Sequence, residues 1–134
     1  MVVGIVSDET YQKDFIVKDV LNGIYNRLGK FFTVASGGNR SGAENVAKRY
    51  ALKEGLKYHS FNPAYTGYQM YSYKSKDYYK KKYHNSHVFK RYTDLVKFCD
   101  VIIIFKEEGI ELSPQILNAI KWAKRLKRKV YIIN

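Results

Sequence analysis

The chemistry of this chain concentrates in one stretch, Ser36-Gly37-Gly38-Asn39-Arg40-Ser41-Gly42-Ala43-Glu44. A strand-like apolar run (Phe31, Phe32, Val34) feeds this Gly/Ser turn, and helix-forming sequence follows at once. Strand, glycine turn and helix together aim backbone N–H groups and the positive end of a helix dipole at an anion. The glycines let the backbone take turn conformations and approach a phosphate closely. Arg40 adds a guanidinium able to grip a phosphate through two N–H groups. The spacing matches neither GxGxxG nor GxxxxGKS/T, so this is no dinucleotide fingerprint and no Walker loop. The alternative is a tight turn whose glycines serve packing alone.

Other reactive side chains are few. Glu44 could stabilise an oxocarbenium-like centre or activate water, as N-glycosidic bond cleavage or deoxyribosyl transfer requires. A glutamate in a helix's first turn is also favoured by the dipole alone, and no second acid or Ser/His/Asp set is legible nearby. The reading therefore leans away from an enzyme. His84 and His87 lie three apart without a visible third ligand, so no metal is expected. Cys99 reads as a core residue, and Trp122 as a marker of a partner surface. A second candidate surface mixes aromatics that stack bases with cations that meet phosphates: Tyr73, Lys74, Lys76, Lys80, Lys81 and Lys82, joined by Lys124 and Arg125. Its alternative is a solvated basic face whose tyrosines cover a cleft or a partner.

The elements that must position these residues follow from periodicity. Met1–Ser7 reads as a buried strand; Lys13 to Leu28 as a helix with Ile16, Val17, Val20, Leu21 and Ile24 on one face. Lys30–Ser36 is a second strand, Ala43–Glu54 a second helix and Leu56–Phe61 a third strand. Residues 64–83, rich in tyrosine and lysine, break the pattern; a structureless loop of that length is uncommon and usually functional. Val88, Tyr92, Leu95, Val96 and Cys99 mark a third helix, and Asp100–Phe105 a strand covered on both faces. Ser113-Pro114 predicts an N-cap and first-turn proline for a fourth helix, with Ile116, Leu117, Ile120 and Ala123 inward. Lys129–Ile133 is the last strand.

This alternation predicts a Rossmann-like α/β fold: a three-layer sandwich with a parallel sheet of about five strands. Ligands bind such sheets at the carboxyl ends of the strands. The loops at Ser7–Thr10, Ser36–Gly42 and Lys106–Leu112 are therefore expected to converge, bringing Ser7, Asp8 and Ser113 toward the turn.

With 134 residues the chain is expected to be one domain, 1–134. A single cysteine excludes an intrachain disulfide and suits a reducing compartment, so a cytoplasmic location is expected. No apolar run has the length of a membrane span, and the first residues lack signal-peptide features. A net charge of +12 and 13 tyrosines stand out; such charge predicts polyanion partners or simple solubility. A short, basic chain of this kind would suit a virus-encoded or mobile-element protein.

The glycine turn, followed by Ala47 and the Tyr50-Ala51 pair, resembles the SGGxxGAD…A…YA signature of small SLOG-superfamily proteins, in particular the single-domain YAcAr-like branch. Phe61-Asn62-Pro63-Ala64-Tyr65 resembles that family's motif after the third strand, and Cys99-Asp100-Val101-Ile102-Ile103-Ile104-Phe105 its aDxviaF strand. His84-Asn85 stands where an Arg-Asn pair usually opens the third helix. Distant relatives are the Lonely-Guy phosphoribohydrolases and the DNA-processing protein. Three positions depart from the pattern: Val6-Ser7-Asp8 replaces Gly-Ser-Arg, Glu44 replaces aspartate, and Gly109-Ile110-Glu111-Leu112-Ser113 lacks the usual Gly-Thr step. The resemblance implies a nucleotide or nucleotide-derived ligand held by Ser7, Asp8, Ser36, Gly37, Gly38, Asn39, Arg40, Ser41, Gly42, Asn85 and Ser113, with no cofactor. It also implies a sensor, carrier or sequestering role and a homo-oligomer. Nucleic-acid binding through the Tyr/Lys segment, and N-glycosidase chemistry at Glu44, are the alternatives.

Overall fold

The computed structural model describes residues 1–80 and 86–134. Strands β1 (Val2–Ser7), β2 (Thr33–Ser36), β3 (Lys57–Ser60), β4 (Val101–Phe105) and β5 (Lys129–Ile133) form one parallel sheet in the order β3-β2-β1-β4-β5. Helices α1 (Asp14–Leu28), α2 (Ala43–Glu54), α3 (Ser86–Phe98) and α4 (Pro114–Arg125) pack around it. Successive strand residues point to opposite faces, so each inner strand must feed two cores. Val3, Ile5, Val34 and Ile103 meet Val17, Leu21, Val46 and Ala47 from α1 and α2. Val6, Ala35, Ile102 and Ile104 meet Tyr92, Leu95, Ile116 and Ala123 from α3 and α4. The chain thus forms the expected α/β sandwich, and register brings Ser36 level with Ile5 and Ser60 at the carboxyl edge.

Several local expectations change. β2 begins at Thr33 rather than Lys30, and Phe31 is exposed. On α4 the buried residues are Ile116, Ala119 and Ala123, while Leu117 is 54% exposed. At about 100° per residue, a face centred on 116, 119 and 123 rotates position 117 toward solvent. Ser113 occupies the N-cap position but its side chain makes no capping bond. At the other end of α4, the N–H of Arg128 donates to the Ala123 carbonyl at 2.8 Å and that of Lys127 to Lys124 at 3.1 Å. Lys127 takes φ 59°, the one positive φ outside glycine among the described residues. That left-handed position normally belongs to glycine, and a residue with a Cβ costs roughly 1–2 kcal/mol there.

The segment expected as a loop is instead built onto the edge of β3. Ser60 N–H donates to Tyr71 O (2.7 Å), Tyr73 N–H donates to Ser60 O (2.9 Å), and short 3-10 turns form at Ala64–Thr66 and Lys76–Lys80. Asn62, buried beneath it, is the staple. Its Nδ2 donates to Thr66 Oγ1 (2.8 Å) and Gly67 O (2.9 Å), while its Oδ1 accepts from Ser72 Oγ (2.7 Å) and Tyr79 OH (2.9 Å). Tyr73 stacks on Phe61 with centroids 4.7 Å apart, and Tyr71 meets Tyr58 edge-on. These contacts cover an edge strand that would otherwise present unpaired backbone groups.

Candidate functional site

The turn after β2 is held in place by one buried carboxylate. Glu44, fully enclosed in the first turn of α2, directs its side chain back over the turn, as helical side chains do. Its Oε2 accepts from Tyr92 OH (2.6 Å), Ser7 N–H (3.2 Å) and Asn39 Nδ2 (3.2 Å), and its Oε1 accepts from Asn39 N–H (3.2 Å). Burial pushes the Glu44 carboxyl up from its ordinary value, opposed by the Arg91 charge and by these donors. Burial, and then the facing carboxylate, hold the Tyr92 phenol well above its ordinary value.

The remaining expected residues fall into two groups. Ser7 and Ser36 are buried and committed to structure. Ser7 Oγ accepts from Ala43 N–H (2.9 Å) and donates to Asp8 O (2.9 Å); Ser36 Oγ shares a 2.6 Å hydrogen bond with Tyr58 OH and accepts from Gly38 N–H (3.2 Å). Gly42 (φ 78°) passes so close to β1 that a Cβ would lie 2.5 Å from Asp8 O. Gly38 (φ 81°) leaves no room beside Ser60 and Asn62. Ser41 Oγ donates to Glu9 O (3.0 Å). Among the described residues, the N–H groups of Arg40, Ser41 and Gly42 donate to no acceptor, and the Arg40 side chain is exposed.

Arg40 lines a cleft of about 440 Å³ together with Glu9, Gly38, Asn39, Tyr65, Thr66, Gln69 and Arg91. A smaller hollow of about 90 Å³ adjoins it behind the turn, toward Asn45, Lys48, Tyr58 and Ser60. Sequence reasoning missed Arg91. Its Nη1 donates to Asn39 Oδ1 (3.1 Å) and, at 3.4 Å, to Gly37 O; its Nη2 donates to Gln115 Oε1 (3.1 Å). The guanidinium lies over the Tyr92 ring, and its buried Nε has no acceptor among the described residues. Arg91 thereby ties the turn to α3 and to the start of α4. Nothing local marks it, because its partners lie 24 to 54 residues away.

The expected convergence of three loops is partial. Asp8 and the loop after β4 form a separate narrow recess with Thr10, Tyr11, Glu107 and Ile110, and Ser113 lines neither hollow beside the turn. The wall opposite the turn comes instead from Tyr65, Thr66 and Gln69 of the segment stapled by Asn62. Asn85, like Lys81 and Lys82, lies outside the described residues. Glu44, the candidate catalytic residue, sits beneath the turn and does not line the cleft. Of the candidate nucleic-acid track, Tyr73 is stacked on Phe61, Lys74 pairs with Asp94 (3.1 Å), Lys80 pairs with Asp77 (3.3 Å) and Lys76 lies over Tyr68. Lys124 and Arg125 lie on a different element, in the last turn of α4.

Among the described residues, no three His, Cys, Asp or Glu side chains gather to hold a metal ion, and no helix is long and apolar enough to cross a membrane. His84 and the His87 side chain fall outside what is described. No family model and no curated protein sequence matches the chain. Two solved structures of the molybdenum cofactor carrier protein from Chlamydomonas reinhardtii share its fold. One has a TM-score of 0.65 at 12% identity over 98% of this chain and 74% of that one; the other has 0.60 at 13% over 98% and 75%.

Proposed function

We propose that the chain binds a small phosphate-bearing nucleotide derivative at the glycine turn, as a carrier, sensor or sequestering protein. The observation that carries this reading is the cleft itself, lined by two cationic residues, Arg40 and Arg91, the first of which also has an unspent backbone amide. Its volume of about 440 Å³ suits a ligand of nucleotide size, small-molecule sites running to roughly 300–1,000 Å³. The dipole of α2 adds to the field, and the Gln69 side chain offers a polar group to the rest of the ligand. The resemblance to the SLOG superfamily and the shared fold with a cofactor carrier agree with binding. Glu44 supports binding over turnover, because its carboxylate is used to hold the turn.

The test is thermal-shift and calorimetric titration with AMP, ADP, cyclic AMP and ADP-ribose. Saturable binding is expected for at least one of them, with a stabilisation of about 2.7 kcal/mol at a hundredfold excess over Kd. Arg40→Ala and Arg91→Ala should each weaken it about tenfold or more, the scale of a lost hydrogen bond to a charged group. Absence of any shift at millimolar ligand, or release of free base from nucleoside monophosphates, would overturn the proposal.

A further inference from the structure

A second charged surface lies at the opposite edge of the sheet. From Leu112 to Asn134 the sequence carries six cations, Lys121, Lys124, Arg125, Lys127, Arg128 and Lys129, and no acidic side chain. α4 runs back from the carboxyl ends of the strands, so its last turn and the start of β5 meet at the amino edge. α3 brings Lys97 to the same place: Arg128 Nη2 donates to the Lys97 carbonyl at 3.0 Å. Among the described residues, none of the six pairs with a carboxylate.

The helix dipole accounts for Lys124 and Arg125 in the last turn of α4. It does not account for Lys127, Arg128 and Lys129, which lie beyond the helix. Lys127 is the decisive residue, because it holds a left-handed position where glycine would be less strained. Backbone strain kept at one residue points to a use for its side chain.

We propose that this edge binds the phosphate backbone of duplex DNA without reading its sequence. Five exposed cations, Lys121, Lys124, Arg125, Lys127 and Lys129, spaced along α4 and through the following turn suit phosphate contact. On α4 itself the single aromatic, Trp122, is engaged by Arg125 at 5.0 Å and Lys97 at 5.9 Å, so that helix offers phosphate contact before base stacking. The site is independent of the glycine turn, and both can be filled together.

The experiment is fluorescence anisotropy with a 20-base-pair duplex between 50 and 200 mM salt. If five phosphates are neutralised, affinity falls about 500-fold over that range, a log–log slope of about −4.5. Lys127→Gly should raise the melting temperature and yet make the slope shallower by about 0.9. Lys124→Gln with Arg125→Gln should make it shallower by about 1.8, while Arg40→Ala leaves it unchanged. The proposal is overturned if no binding occurs at 50 mM salt, or if both amino-edge variants bind as the parent does. It is also overturned if single strands bind more tightly than the duplex, or if anionic phospholipid vesicles compete the duplex away.

Discussion

Removing one hydroxyl at Tyr92 tests the central claim about the turn, that the buried Glu44 carboxyl organises it by accepting hydrogen bonds. Tyr92→Phe preserves ring volume and the packing of α3, deleting the 2.6 Å bond to Glu44 Oε2 and a weaker 3.3 Å contact from Asn39 Nδ2. A hydrogen bond to a charged group is worth about 1.5–3 kcal/mol. For a domain of 134 residues, that corresponds to a fall of about 5–10 °C in melting temperature at pH 7. The pH dependence gives the sharper test. Glu44's folded pKa is raised from 4.5, so the folded chain holds that proton more tightly than the unfolded one. Glu44 therefore lowers the unfolding free energy as pH climbs from about 4.5 to its folded value, and has no further effect above it. Losing the Tyr92 donor raises the folded pKa further. The deficit of the variant is then largest well above that value and shrinks as pH falls through it. Chemical denaturation of both proteins from pH 4 to pH 8 measures this. A loss below about 0.5 kcal/mol at pH 7, or a loss that does not change with pH, would refute the reasoning.

Three further substitutions probe the scaffold. Asn62→Ala removes the staple beneath residues 64–80 and should cost roughly 2–4 kcal/mol, with limited proteolysis and mass spectrometry finding new cuts in that segment. Nucleotide binding should weaken with it, because Tyr65, Thr66 and Gln69 form the cleft wall. Leu117→Gln should change stability by no more than about 0.5 kcal/mol, whereas Ile116→Ala should cost about 2–5 kcal/mol, as denaturation curves will show.

The elements were legible where the signal is local and periodic. Apolar spacing of 3.6 residues marked the four α-helices, short apolar runs between them marked the strands, and the β-branched run at Asp100–Phe105 identified a strand buried on both faces. α4 shows the resolution of that signal: Leu117 and Ala119 flank the same stripe, and only contact with the sheet decides which turns inward. The tyrosine-rich segment has no period to read, because its order comes from Asn62, Phe61 and the edge of β3.

Sequence alone determined that a glycine turn stands between a strand and a helix at the carboxyl edge of a parallel sheet, since chain order and handed crossovers leave little else. Tertiary structure decided which residues face the cleft there. Ser7, Ser36 and Glu44 carry polar groups suited to a ligand, yet folding spends them on Ala43, Tyr58 and Tyr92. Arg91, which looks like any surface arginine in the sequence, is brought to the cleft from 52 residues beyond Asn39. The physical reason is the cost of leaving a buried polar group unpaired: each must find a partner, and most of these partners lie far along the chain.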